Sequence, residues 1–412
     1  MDDHRWIRKI CVLVMCLQIQ IIKEVLHSLL QSLELLRTNQ NTYSPGVFSP
    51  RIPNQIVPDI LPAAKDIEIA ERLLCAYRLS VKDEDRSSEE YVDIWSHNRK
   101  YQPTFFTALG NEDPVVLATY LCNMCRHDAT HGTVQGYREY LKVKYNPLYR
   151  GYISKVTKDK LVLLAEAVGA VGCENPEQGV WGQNFRLPID QLVDAIESQI
   201  ELDITPPAID GGLLKITGSK AQFNERDLNA IFTAWSVTNK LKNFSDASIL
   251  EVGAGAGRVA YWNWRFGIKS YSLIDLAYIN VIQGFYLLKA LPDASIRLYG
   301  EPAQELMQGR EIAILPTHAI NNLSSRQFDL VLNQDSFPEI HPKIVRDYLI
   351  KIREISRQYF LSINHESCPP GVDDSFTQIN VQKLVDEVGG YKKLTRDPYW
   401  LRKGYVMELY EV

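Results

Sequence analysis

The chain reads as an α/β protein, with a doubly wound, mostly parallel sheet preceded by a mostly helical region. Three observations predict this. From about residue 208 onward, apolar runs of strand length alternate with helical stretches, the pattern of a parallel sheet with crossover helices. Within that half, Ile249, Leu250 and Val252 lead through Glu251 into Gly253, Gly255 and Gly257. This is the form of a buried strand ending in a tight turn before a helix. Residues 63–207, by contrast, carry helical periodicity and no strand alternation.

At 412 residues the chain suggests two or three domains. Residues 1–40 hold apolar side chains at alternating steps of three and four: Val12, Met15, Ile19, Ile22, Leu26, Leu29, Leu33 and Leu36. That is a heptad seam, expected either to dock on its own protein or to join copies into a homo-oligomer through residues 12–36. The unbroken apolar run Ile10 to Leu17 is too short to span a bilayer, and no small-residue cleavage site follows it, so neither a membrane span nor a signal peptide is expected. Residues 41–62 carry five prolines and read as a linker or a meandering surface segment. Helical segments follow around Ile67–Tyr77, Val115–Arg126, Val134–Tyr140 and Lys158–Val168, and Thr205-Pro206-Pro207 with Gly211-Gly212 close this region. In the last domain, 208–412, strands are expected at Ser270–Asp275, Ser295–Tyr299, Ile312–Leu315, Phe328–Asn333 and Tyr359–Ile363. Tyr405–Leu409 would add an antiparallel edge strand.

An apolar share of 45% and a charged share of 23% are ordinary for a globular protein. The net charge of −5 weighs against a nucleic-acid partner, and no basic run interleaved with aromatics stands out. Seven scattered cysteines are unlike a secreted disulfide framework, so a cytoplasmic protein with reduced thiols is expected. Cys122, Cys125, His127 and His131 all lie within ten residues, whereas structural zinc takes ligand pairs from separate elements. Buried cysteines beside a polar helix end are expected there, and no metal.

The glycine spacing narrows the ligand. A dinucleotide fingerprint is G-x-G-x-x-G, but position 258 is Arg and the third glycine comes one residue early. Glu251 would repel a pyrophosphate, yet it can accept a hydrogen bond from an ammonium group. Asp275 ends the next strand, 18 residues past Gly257, where a nucleoside-binding sheet places the acid that grips ribose hydroxyls. The stretch resembles the first two motifs of S-adenosylmethionine-dependent methyltransferases with a Rossmann-like fold. That resemblance implies S-adenosylmethionine as cofactor, held by Glu251, Gly253, Gly255, Gly257 and Asp275.

Beyond the Phe328–Leu332 strand stand Asn333, Asp335, Ser336 and Glu339. At the end of a parallel strand Asn333 can hold cofactor or acceptor, and Asp335 or Glu339 can take a proton; the same residues also suit a capped turn. His365 follows the next strand; an imidazole suits general-base work at neutral pH, or the residue serves only structure. Arg226, on a helix before the glycine turn, either reaches the methionine carboxylate of the cofactor or is a solvated arginine. Three segments are similar to those of bacterial sugar O-methyltransferases: Glu174-Asn-Pro-Glu-Gln-Gly-Val-Trp-Gly182, the helix around Arg226, and Asn333-x-x-Ser336-x-x-Glu339. This similarity implies methyl transfer to a hydroxyl of a small-molecule acceptor, a sugar or a glycosylated natural product. A nitrogen acceptor, a nucleotide-dependent oxidoreductase and a non-catalytic assembly protein on the same fold are the alternatives.

Overall fold

A computed structural model describes residues 51–84, 94–175, 177–179, 182–302, 310–368 and 378–412. The heptad seam at 12–36 lies outside them. The first described strand, β1 (Asn54–Ile56), is followed by a helical stretch. This comprises α1 (Ala64–Asp83), α2 (Ile94–Asn98), α3 (Pro103–Gly110), α4 (Pro114–Cys122), α5 (Tyr137–Tyr145), α6 (Pro147–Ala167), α7 (Gln183–Arg186) and α8 (Ile189–Ile200). Two of these helices start as their sequences dictate. Asp113 and Asn146 turn their side chains onto the first free backbone N–H groups, each with proline at the first helical position. Then come β2 (Leu214–Thr217), β3 (Gln222–Phe223) and α9 (Glu225–Lys240), the last opened by a reciprocal capping box between Asn224 and Asp227.

The remaining chain alternates: β4 (Ser248–Val252), α10 (Arg258–Arg265), β5 (Ser270–Asp275), α11 (Ala277–Ala290), β6 (Ile296–Leu298), β7 (Ile312–Pro316), β8 (Phe328–Gln334), α12 (Pro342–Ile355), β9 (Ser356–His365), α13 (Val381–Val388), β10 (Lys392–Pro398) and β11 (Tyr405–Glu411). Eight of these strands form one sheet in the order β10-β11-β9-β8-β4-β5-β7-β6. The six strands from β6 to β9 are parallel, and β11 runs antiparallel to β9 and to β10. The expected doubly wound, mostly parallel sheet is present. The step from β4 to its two neighbours, β5 on one side and β8 on the other, is where the strand order reverses, and a crevice opens at the strand ends there.

Alternation along the strands divides the core in two. Ile249, Leu273, Leu330 and Leu332 face a large core shared with α1, α9, α10 and α11. Leu250, Val252, Ile274 and Val331 face a smaller one covered by Val345 and Leu349 of α12 and Leu384 of α13. The large core continues without a break into Leu117 and Leu121 of α4 and Leu161 of α6. Among the described residues no helix is long and apolar enough to cross a membrane.

Two expectations need correction. The expected linker at 41–62 is folded from residue 51: Asn54–Ile56 pairs antiparallel with β2, and Ile52 and Val57 are buried. Pro53 and Pro58 bracket this strand, marking its ends where proline is tolerated. Tyr405–Leu409 is antiparallel as expected, but it is an interior strand. Lys392–Pro398, too charged to read as a strand, forms the edge beyond it.

Candidate functional site

A cavity of about 290 Å³ opens at the carboxyl ends of β4, β5 and β8. Its floor is the glycine turn. Gly253, Gly255 and Gly257 all adopt positive φ (74°, 58° and 75°), which explains why the chain uses glycine there. The three serve different ends. A Cβ on Gly253 would lie 2.1 Å from Ser336 Oγ, so that position keeps the turn against the β8 loop. A Cβ on Gly257 would press on Leu287 of α11 at 3.2 Å, so that one lets helix and helix approach. A Cβ on Gly255 would meet nothing within 4 Å, and Gly255 lines the cavity. This is the position where a ligand can lie against bare backbone.

Two carboxyl groups flank the turn. Asp275 Oδ2 accepts from Gly255 N at 3.0 Å and from Gln283 Nε2 at 2.8 Å, while Oδ1 accepts from Leu276 N at 2.8 Å. Its pKa is raised to about 7, because burial outweighs these hydrogen bonds. Glu251 is only 2% exposed and takes a hydrogen bond from Tyr271 Oη at 2.8 Å. Burial, with a smaller push from Asp275, raises its pKa to about 8. Both groups line the cavity. Two buried acids held near neutrality at one cavity wall are poised to meet a cationic or hydroxyl-bearing ligand.

The opposite wall comes from α9 and the β8 loop. Arg226 lines the cavity, with Nη1 3.7 Å from Asp335 Oδ2. Asp335 is a non-glycine residue at φ 69°, held there by Arg402 and by a hydrogen bond from Tyr405 Oη. Burial pushes its carboxyl up, but Arg402, Tyr405 and Arg226 more than offset this and hold it below the usual carboxylate range. Such a group stays ionised and is a weak base. Glu339, on a short 3₁₀ turn at Phe337–Glu339, also lines the cavity.

Two expected site residues lie behind the wall. Asn333 is fully buried; its Nδ2 donates to Val252 O at 3.0 Å and Ser336 Oγ at 2.6 Å, and its Oδ1 accepts from Asn364. It ties the glycine turn to β8 rather than touching the cavity. His365 is likewise absent from the lining; its Nδ1 engages Ser367 Oγ at 3.0 Å and its ring meets Tyr405 edge-on at 5.4 Å. The parallel β8–β9 register places His365 one strand further from the cavity than Asp335.

Several residues escaped the sequence reading. Arg258, which in the sequence marks only the absence of a glycine, is 6% exposed and bridges Asp210 at 2.8 Å and Asp227 at 3.1 Å, with Tyr286 beneath it. Its partners lie 31 and 48 residues earlier, so no local pattern could reveal them. The roof of the cavity is Trp95, Gly132, Thr133 and Val134, all from the helical half and without any motif. Cys122 and Cys125 are buried, and His127 stacks on Tyr120 at 4.5 Å.

The chain matches no family model and no curated protein. Solved structures similar to it include a SAM-dependent methyltransferase from Aquifex aeolicus, 14% identical over 44% of this chain and 90% of that one, TM-score 0.30. Another is the 1,6-didemethyltoxoflavin-N1-methyltransferase of Burkholderia thailandensis, solved with bound 1,6-didemethyltoxoflavin and S-adenosylhomocysteine: 18% identity, 44% of this chain, 77% of that one, TM-score 0.30. A third is the magnesium protoporphyrin IX methyltransferase of Synechocystis with bound SAH: 12% identity, 45% of this chain, 83% of that one, TM-score 0.32.

Proposed function

We propose that this chain is an S-adenosylmethionine-dependent methyltransferase whose acceptor is a hydroxyl of a sugar or of a glycosylated molecule. One observation carries the cofactor reading: the bare backbone at Gly255 faces the cavity between two buried acids, Asp275 and Glu251. The residues fit the group. Asp275 Oδ1 has a lone pair left for a ribose hydroxyl, and Glu251 offers an acceptor to an ammonium. Arg226, across the cavity, is placed for a carboxylate. A dinucleotide fits less well, since Glu251 would face its pyrophosphate and Arg258 is already engaged with two aspartates.

Bound S-adenosylmethionine would supply a methyl group activated on its sulfonium. The protein's part is to position an oxygen nucleophile, shield it from water and accept its proton. Glu339 lines the cavity and is the residue we assign as base, while Asp335 orients Arg226. The sugar acceptor itself is supported by the similarity of the segments at 174–182, 226 and 333–339 to sugar O-methyltransferases.

Calorimetric titration with S-adenosylmethionine and, separately, with NAD tests the cofactor; binding of NAD alone would overturn the reading. For the base, Glu339→Gln should keep cofactor affinity and lower turnover by roughly 10²–10⁴. His365→Ala should stay near the parent. Undiminished turnover in Glu339→Gln would favour a nitrogen acceptor, which needs no strong base.

A further inference from the structure

One segment of the helical half, α5 with most of α6, reverses the charge of the chain. Residues 137–160 hold seven Lys or Arg, two Asp or Glu and five Tyr, in a protein of net charge −5; Lys158 and Tyr140 are buried and take no part in its surface. A basic run interleaved with aromatics is therefore present after all; summed over the whole chain, its charge is averaged away. On α5 and α6 the cations lie over tyrosine rings: Lys142 over Tyr149 at 5.6 Å, and Lys144 over Tyr140 and Tyr145 at 5.3 and 5.2 Å. Among the described residues Arg138, Lys144, Arg150 and Lys155 have no carboxylate partner, whereas Lys142 meets Glu139 and Lys160 meets Glu225. Tyr137, Tyr145 and Leu148 are 51%, 56% and 61% exposed. Unpaired cations beside exposed aromatic faces leave this surface short of anions and of flat apolar partners.

The face adjoins the cavity at two places. Gly132, Thr133 and Val134, just before α5, belong to its roof. From α6, Lys160 Nζ lies 3.4 Å from Asn229 Oδ1, and Asn229 lines the cavity. An acceptor whose reacting hydroxyl sits inside therefore has its remainder within reach of α5 and α6.

We propose that this face docks an anionic oligosaccharide portion of the acceptor, one bearing phosphate, sulfate or carboxylate groups. The inference rests on the sugar-hydroxyl reading above. Tyrosine rings stack on the C–H faces of sugar rings, and the unpaired cations answer the anionic substituents. A neutral glycan would leave those cations unanswered. At nine residues α5 is about 14 Å long, the span of a short oligomer, and the acidic remainder of the chain would repel a long polyanion.

The full chain is titrated with a heparin-derived tetrasaccharide, with neutral cellotetraose and with tetrauridylate. The sulfated tetrasaccharide should bind, losing about tenfold in affinity between 50 and 200 mM salt if two or three charges are matched. Cellotetraose should bind at least ten times more weakly. A triple variant, Arg138→Gln with Lys144→Gln and Arg150→Gln, should lose tenfold or more toward the tetrasaccharide while titrating S-adenosylmethionine like the parent. Replacing the two arginines by lysine should retain binding. Equal affinity for cellotetraose, salt-independent binding, an unaffected triple variant or tighter binding of tetrauridylate would each overturn the proposal. Should the triple variant fail to fold, the salt series on the parent chain decides. Loss of S-adenosylmethionine binding in the parent chain would instead strike the transferase reading, a separate result.

Discussion

Gly253 and Gly255 share a left-handed backbone and are expected to fail in different ways. Alanine at 253 sets a Cβ against Ser336, adding overpacking of about 1–3 kcal/mol to left-handed strain of about 1 kcal/mol. Gly253→Ala should therefore lower the denaturation midpoint. Alanine at 255 adds only the strain, because the Cβ enters open space. Gly255→Ala should fold nearly like the parent and bind S-adenosylmethionine more weakly, by calorimetry. Asp275→Ala should cost about 1–3 kcal/mol of cofactor affinity, roughly 5- to 150-fold, by leaving ribose hydroxyls unpaired. The buried acids add a pH dependence. Glu251 ionises near 8 and Asp275 near 7 in the folded ligand-free protein, well above their unfolded values. The folded state thus holds protons that the unfolded chain has already released, and stability falls as pH rises from the ordinary carboxylate range to about 8. Thermal melts across that range should show this decline, and Glu251→Gln should flatten it. A slope of the opposite sign would place the charge elsewhere.

Arg258 shows how an element can hold a site without lining it alone. It starts α10 directly after the glycine turn and grips Asp227 of α9, the helix that carries Arg226, and Asp210, whose neighbour Gly211 bonds to Cys122 O of α4. Removing it strands two buried carboxylates, so Arg258→Ala should cost about 3–5 kcal/mol in chemical denaturation. If that variant unfolds like the parent, the bridge is not what secures α10. The strands around this site were legible in the sequence because each is a short apolar run ending in a functional or turn residue. The hairpin between β10 and β11 was not. Tyr399, hydrogen-bonded to Thr233 and to Asn229 O, anchors it and brings Arg402 and Tyr405 onto Asp335. Asp335 looked like a base in the sequence because its neutralising partners lie nearly seventy residues further on.

At the scale of the molecule, the helical half and the sheet are one packed body. α1 lies on α11 and α4, and Lys289 of α11 pairs with the buried Asp66 of α1 at 2.9 Å. Periodicity predicted the helices, but roofing by Trp95 and Thr133 depends on packing between distant segments, which periodicity does not encode. A chain starting at residue 51 should keep cofactor binding, with any loss of assembly size by light scattering falling to residues 12–36. A chain starting at 208 should not fold, because it exposes the faces that α1 and α6 cover; cooperative unfolding of that fragment would show two independent domains. The order of the last strands bears on folding. β11 follows β10 in the chain yet separates it from β9, so Lys392–Pro398 can take its native place only after β11 has paired with β9. That segment must wait in water for its partner, and its lysines, arginine and aspartate let it wait without recruiting a stray chain.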